Sequence, residues 1–238
     1  MKSYADSFLE LLYPEKNTCL ICEDYDESIG DKYICPHCEN LLKKIEIPMC
    51  SKCSKPINYN SLTTLCQECS IEEKHFIMSK SPYAYDNLIK KSIYSYKYYN
   101  KPYFYKMFGN LLINFMLSTN YTDFACIVSV PLHSSKMRKR GYNQSELLAK
   151  YISTKLSIPY VDALKRTKKT QKQSEQSKVE RMKNLKNAFT IKASAHKIIN
   201  SSVLLVDDIY TTGATVDECS KVLMNYGASK VYVITIAR

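Results

Sequence analysis

Two adjacent carboxylates, Asp207 and Asp208, stand just before a run of small and hydroxyl residues, Thr211, Thr212, Gly213, Ala214 and Thr215. Carboxylates accept hydrogen bonds from sugar hydroxyls or hold Mg2+, whereas hydroxyls and a glycine-containing turn aim donors at an anion. Ribose 5-phosphate is the simplest ligand with both features. The flanking pattern can position these groups. Residues 203–206 form a short apolar run that fits a buried strand ending at the acids. A helix is predicted over 216–226 with Gly227 as its C-cap, so its positive dipole end would face the phosphate. Acids at strand ends also occur in ligand-free units and in receiver-type or phosphatase pairs. Those pairs lie on an early strand, whereas this one lies on the last but one.

Eight of the ten cysteines form four Cys-x2-Cys knuckles, Cys19/Cys22, Cys35/Cys38, Cys50/Cys53 and Cys66/Cys69, and the first two pairs recur 31 residues later as the second two. Two thiolates from one tight turn meet one metal, and two knuckles complete a tetrahedron. The expectation is two structural Zn2+ ions in tandem ribbons, with no open position for a water nucleophile. A segment with so few large apolar groups needs such a staple to fold. Sequential pairing fits the repeat, and cross-braced pairing of alternate knuckles stays open. His37 and His75 read as spectators, and Cys126 and Cys219 as small hydrophobes in a strand and a helix.

The chain has 238 residues, 45% hydrophobic and 24% charged, which fits an ordinary soluble globular protein of one or two domains. Its apolar runs fall short of the eighteen or so residues of a membrane span. Residues 1–14 read as an amphipathic helix, not a signal peptide, which points to a cytoplasmic protein. The net charge of +11 is partly compositional, because lysine greatly outnumbers arginine. Four of the five arginines, Arg138, Arg140, Arg166 and Arg181, fall in one segment, where a planar bidentate donor suits phosphate; the fifth is Arg238.

From residue 76 onward strands and helices alternate, which predicts an α/β domain with a parallel sheet over 76–238, preceded by the ribbon domain over 1–75. Strands are predicted near 81–85, 124–130, 160–164, 188–191, 203–206 and 230–236, and helices over 87–98, 103–117 and 143–156. Ligands of such sheets bind at the carboxyl ends of the strands. One such end carries Pro131 and Leu132, then a basic loop of Lys136, Arg138, Lys139 and Arg140, with Asn143 as N-cap and Glu146 three residues on. The segment 165–186 holds nine Lys or Arg against two Glu and reads as a cationic lid. Residues 89–106 interleave seven aromatics with lysines, the pattern of a base-stacking platform or of an amphipathic helix in a tyrosine-rich chain.

The string VLLVDDIYTTGAT at 203–215 resembles the phosphoribosyl pyrophosphate (PRPP) signature of type I phosphoribosyltransferases. The resemblance implies that Asp207 and Asp208 hold the ribose hydroxyls and residues 211–215 the 5′-phosphate. Pro131, Leu132 and Arg166 would serve the pyrophosphate, with Mg2+ accompanying PRPP. Together with the ribbons, the Pro131-Leu132-His133 and 140–144 motifs and the string from Arg166 to Phe189, the order of motifs is similar to that of ComF proteins. That likeness implies a role in natural transformation, in the uptake or cytoplasmic handling of single-stranded DNA. It implies Lys136, Arg138, Lys139, Arg140, Arg166 and Arg181 as contacts for DNA or pyrophosphate. A DNA-uptake helicase or channel at the inner face of the membrane is a further implied partner. The alternative is a metabolic transferase with an unidentified acceptor. Thr211 replaces the Asp that serves the base in 6-oxopurine transferases, which argues against hypoxanthine or guanine salvage.

Overall fold

The computed structural model describes residues 17–58, 63–168 and 184–238. The helix read over 1–14, Arg181 and most of the basic segment lie outside them.

Each ribbon is a pair of knuckles brought together. In the first, Cys35 precedes α1 (Pro36–Asn40), and its Sγ accepts from the Cys38 N–H at 3.4 Å. In the second, Cys66 precedes α2 (Gln67–Ile71). The first core cluster joins residues of the first ribbon to the helices that follow; the second joins Cys50, Cys53 and Cys66 to Phe76 and Tyr210.

The body is built on four strands in the order β1-β6-β5-β2, all parallel: β1 (Ser79–Lys80), β2 (Cys126–Ser129), β5 (Ser202–Ile209) and β6 (Lys230–Ala237). Val203 to Val206 are fully buried, as expected of a central parallel strand covered on both faces. One face carries α3 (Asn87–Tyr98), α4 (Phe104–Ser118) and α6 (Gln144–Leu156). There Gly109 lets α4 and α6 approach, because a Cβ would meet the Tyr151 ring. The other face carries α7 (Ala214–Asn225). A separate antiparallel pair, β3 (Leu164–Arg166) and β4 (Phe189–Ile191), packs beside α7.

Most predicted elements are present within a residue or two, with five differences. The first strand lies at Ser79–Lys80 rather than 81–85, and the strand read at 160–164 is a single bridge at Tyr160 followed by β3. β5 does not end at the acids: Asp207 pairs with Thr235 and Ile209 with Ala237. The basic loop is a helix, α5 (Ser134–Arg140), opened by the His133 side chain accepting from the Ser135 N–H and closed by Gly141 at φ 83°. Its sequence has no apolar stripe, so periodicity could not reveal it. Asn143 stands at the N-cap of α6 but does not cap it; its Nδ2 donates to the Val130 carbonyl at 3.0 Å. That bond ties α6 to the end of β2.

Candidate functional site

The carboxyl ends of β2 and β5 lie side by side, with the Val130 N–H donating to the Val206 carbonyl at 3.0 Å. Above them opens a cavity of about 950 Å3, ample for a phosphorylated sugar. Its lining brings together Asp207, Asp208, Thr211, Gly213 and Thr215 from the signature with Pro131 and Leu132 from the end of β2. It also gathers Lys136, Arg138, Lys139 and Arg140 from α5 and Arg166 from the end of β3. Thr212 and Ala214 belong to the same loop without lining the cavity; Thr212 Oγ1 accepts from the Ala214 N–H at 3.4 Å.

The acids are held by residues that the sequence did not single out. Asp207 Oδ1 accepts from Ser145 Oγ at 2.8 Å and from the Asp208 N–H at 2.9 Å. Burial, and then the Asp208 charge, push the Asp207 pKa up to about 7. Asp208 Oδ1 pairs with Lys97 Nζ at 2.8 Å, with both side chains largely buried. Lys97 arrives from α3, and 111 residues separate the partners, so no local pattern could have linked them.

Opposite the acids the field is cationic. Burial lowers the Lys136 pKa, and Arg166, Arg140 and Lys97 lower it further. Cations that crowd one another around a cavity mark a place where an anion relieves their repulsion. Arg166 is itself buried, with its guanidinium 5.4 Å from the Phe189 ring centre, and burial lowers its pKa. Arg140 Nη1 donates to Gln144 Oε1 at 2.6 Å, and its guanidinium lies 5.1 Å from the Tyr98 ring centre.

The loop between β5 and α7 turns at Gly213, whose φ of 78° is left-handed. Tyr210 packs beneath it, and a Cβ on residue 213 would run into the Tyr210 hydroxyl. The turn brings the N-terminus of α7, the positive end of the helix dipole, to the edge of the cavity, as at anion sites on helix N-termini.

The eight knuckle cysteines form two clusters, Cys19/Cys22/Cys35/Cys38 and Cys50/Cys53/Cys66/Cys69, with the sulfur atoms of each within 4.8 Å of one another. Pairing is therefore sequential. Four thiols converging in a tight, mostly buried cluster fit structural Zn2+ and leave no open coordination position. Neither His37 nor His75 joins a cluster; His75 instead pairs with Asp217 at 3.3 Å. Cys126 and Cys219 are buried in β2 and α7, as expected.

The 89–106 stretch divides. Tyr96 and Phe104 are core residues, whereas Tyr94, Tyr98 and Tyr99 are 52%, 59% and 64% exposed. Tyr94 and Tyr98 line the cavity mouth. Among the described residues no helix is long and apolar enough to cross a membrane.

Residues 8–70 match the double zinc ribbon domain, and residues 143–238 match the phosphoribosyl transferase domain. Competence protein F of Haemophilus influenzae is 29% identical over 92% of this chain and 96% of its own. Competence protein ComFC of Streptococcus pneumoniae is 27% identical over 87% of this chain and 89% of its own. The DNA utilization protein YhgH of Escherichia coli is 28% identical, covering 92% and 89% respectively. With its ribbons ahead of a phosphoribosyltransferase domain, the chain is similar along most of its length to competence proteins of the ComF type.

Proposed function

We propose that the cavity binds a 5-phosphoribosyl ligand, with Mg2+–PRPP as the form that uses the whole of it. The observation that supports this most is the juxtaposition of an acid pair, a glycine-turned hydroxyl loop and a cationic wall on one cavity. Asp207 and Asp208 accept the ribose 2′ and 3′ hydroxyls. Residues 211–215 and the start of α7 hold the 5′-phosphate. The main chain of Pro131 and Leu132, with Lys136, Arg140 and Arg166, faces the pyrophosphate. Oxygen donors of this kind suit Mg2+, which would neutralise part of the diphosphate charge. Ligand entry displaces Lys97 from Asp208 and frees its ammonium for the anion.

Transfer of the phosphoribosyl group to an acceptor would develop positive charge on the ribose and negative charge on the departing pyrophosphate. The acids and the cationic wall are placed to stabilise the two respectively. Thr211 offers no carboxylate to a purine, in keeping with an acceptor other than a 6-oxopurine. The test is calorimetric titration of Mg2+–PRPP into the full chain and into Asp208→Asn. One saturable site in the wild type and affinity lower by about a hundredfold in the variant are expected, given that hydrogen bonds to a charged group carry about 1.5–3 kcal/mol each. No binding by the wild type, or unchanged affinity in the variant, would refute the reading.

A second reading is favoured by the exposed tyrosines. Tyr94 and Tyr98 lie 4.7 Å apart by ring centres, Tyr94 and Tyr99 5.7 Å, and Arg140 sits over Tyr98. With Lys139 and Arg138 beside them, they offer stacking faces and phosphate contacts to single-stranded DNA. This reading fits the competence and DNA-utilization names of the relatives. Tyr98→Ala is expected to weaken binding of a short oligonucleotide by about 1–3 kcal/mol. Added salt should weaken binding by both proteins steeply. Salt-insensitive binding, or no effect of the variant, would contradict it.

A further inference from the structure

Arg238 follows the last strand, far in sequence from both the ribbons and the signature loop, yet it touches both. Its Nη1 donates to the carbonyl of Cys53, a knuckle residue of the second ribbon. Its guanidinium lies over the Tyr210 ring, 4.7 Å from the ring centre. Tyr210 is buried, edge-on to Phe76 at 6.3 Å, and its hydroxyl occupies the space beside Gly213 where a side chain would otherwise sit. A continuous line of contacts therefore runs from Cys53 through Arg238 and Tyr210 to the glycine that shapes the loop.

Other contacts fix the two ends of this line. The second ribbon is bonded to β1 by Ser54 Oγ donating to the Ser79 carbonyl and the Ser79 N–H donating to the Lys52 carbonyl, both at 2.8 Å. Just beyond the ribbon, the His75 N–H donates to Asp217 Oδ1 at 2.7 Å, in the first turn of α7. A zinc ion with four thiolates carries net negative charge, and a guanidinium at its edge opposes that charge while stacking on the tyrosine. Arginine does both because it is planar, permanently charged and forked.

We propose that Arg238 is a positioning residue that makes the second zinc ribbon the foundation of the 211–215 loop, so that metal on Cys50, Cys53, Cys66 and Cys69 holds the loop in its anion-binding shape. The inference rests on the reading of that loop as the 5′-phosphate site. The first ribbon packs elsewhere, in the core cluster on the other face of the sheet. That ribbon touches α4 instead, through Lys106 over the Tyr33 ring and Asn110 Nδ2 donating to the Asp31 carbonyl.

The experiment compares full-length wild type, Arg238→Gln and Arg238→Lys by amide hydrogen exchange and by calorimetry, with ribose 5-phosphate and inorganic pyrophosphate as probes. In Arg238→Gln, exchange across 211–215 should accelerate about tenfold while exchange across 19–38 stays unchanged, a factor within the usual range of intramolecular coupling. Ribose 5-phosphate affinity should fall by about the same factor, with pyrophosphate affinity unaffected. Arg238→Lys, which retains charge but not the fork, should lie between. Wild-type exchange in the loop of Arg238→Gln would overturn the proposal, as would equal loss of both probes. Failure of wild type to bind ribose 5-phosphate would refute the phosphate-site reading instead, and the exchange data would still decide the link between ribbon and loop.

Discussion

The two ribbons share one cysteine spacing and differ in what they hold. The first packs against α3 and α4, in a cluster with Ile93, Phe104 and Phe108. The second packs against Phe76, Tyr210 and Val216, on the face of the sheet that carries the signature loop. Duplicated metal motifs therefore do not imply duplicated roles. A tetrahedral thiolate site stabilises whatever surrounds it, and the second ribbon is joined through Arg238 to Tyr210 beneath the signature loop.

Removing the metal ligands should give the largest separation. Replacing Cys50 and Cys53 by Ser, compared with replacing Cys19 and Cys22, should in each case lower zinc content from two to one. Either pair should destabilise the protein by several kcal/mol, since structural zinc contributes folding free energy directly. Ligand affinity in the fraction that remains folded should fall, by about tenfold, for the second ribbon and stay unchanged for the first. Equal loss of affinity in both would erase the comparison.

Gly213→Ala comes next. A left-handed φ and a collision with the Tyr210 hydroxyl should cost about 1–3 kcal/mol and weaken ribose 5-phosphate at least tenfold. Near-normal stability and affinity would show that the Tyr210 support is loose. Denaturant titration and calorimetry measure the two effects.

Acidity sharpens the comparison by separating the acid half of the cavity from the loop half. With its folded pKa raised to about 7 from a usual 3.8, Asp207 stays protonated in the free fold where the unfolded chain has already ionised. Its contribution to stability is therefore present below about pH 4 and is lost as pH rises to about 7. Ribose hydroxyls need the ionised form, so affinity should rise up to about tenfold between pH 6 and 8. Inorganic phosphate serves as the reference for the ligand's own titration. The same pH slope should persist in Arg238→Gln, because that change acts on the loop alone.

The smallest effect belongs to the outer face of the first ribbon. Lys101 pairs with Glu23 at 2.9 Å in an exposed setting. Lys101→Ala should cost well under 1 kcal/mol and leave ligand affinity unchanged.

Much of this was legible in the sequence. The knuckle repeat, the strand–loop–helix around the acids and the helices at Asn87–Tyr98 and Phe104–Ser118 are local patterns, and local patterns survive folding. Sequential pairing of the knuckles was favoured by the repeat and is what the structure contains. The hidden part is non-local. Ser145 meets Asp207 across 62 residues, Lys97 meets Asp208 across 111, and Arg238 reaches Cys53 across 185. Helix α5 escaped notice because its polar sequence carries only end signals. Arg238 was visible as an arginine in a lysine-rich chain, but its partners were not.

Zinc release tests the central claim most directly. A chromophoric chelator added in excess to the full chain should draw off the two metals in two phases. A ligand that binds more tightly when the second zinc is present also stabilises the zinc-bound state, so saturating ribose 5-phosphate should slow the phase that depends on the second ribbon, by about tenfold. The phase from the first ribbon should not change. Slowing of both phases alike, or of neither, would contradict the account.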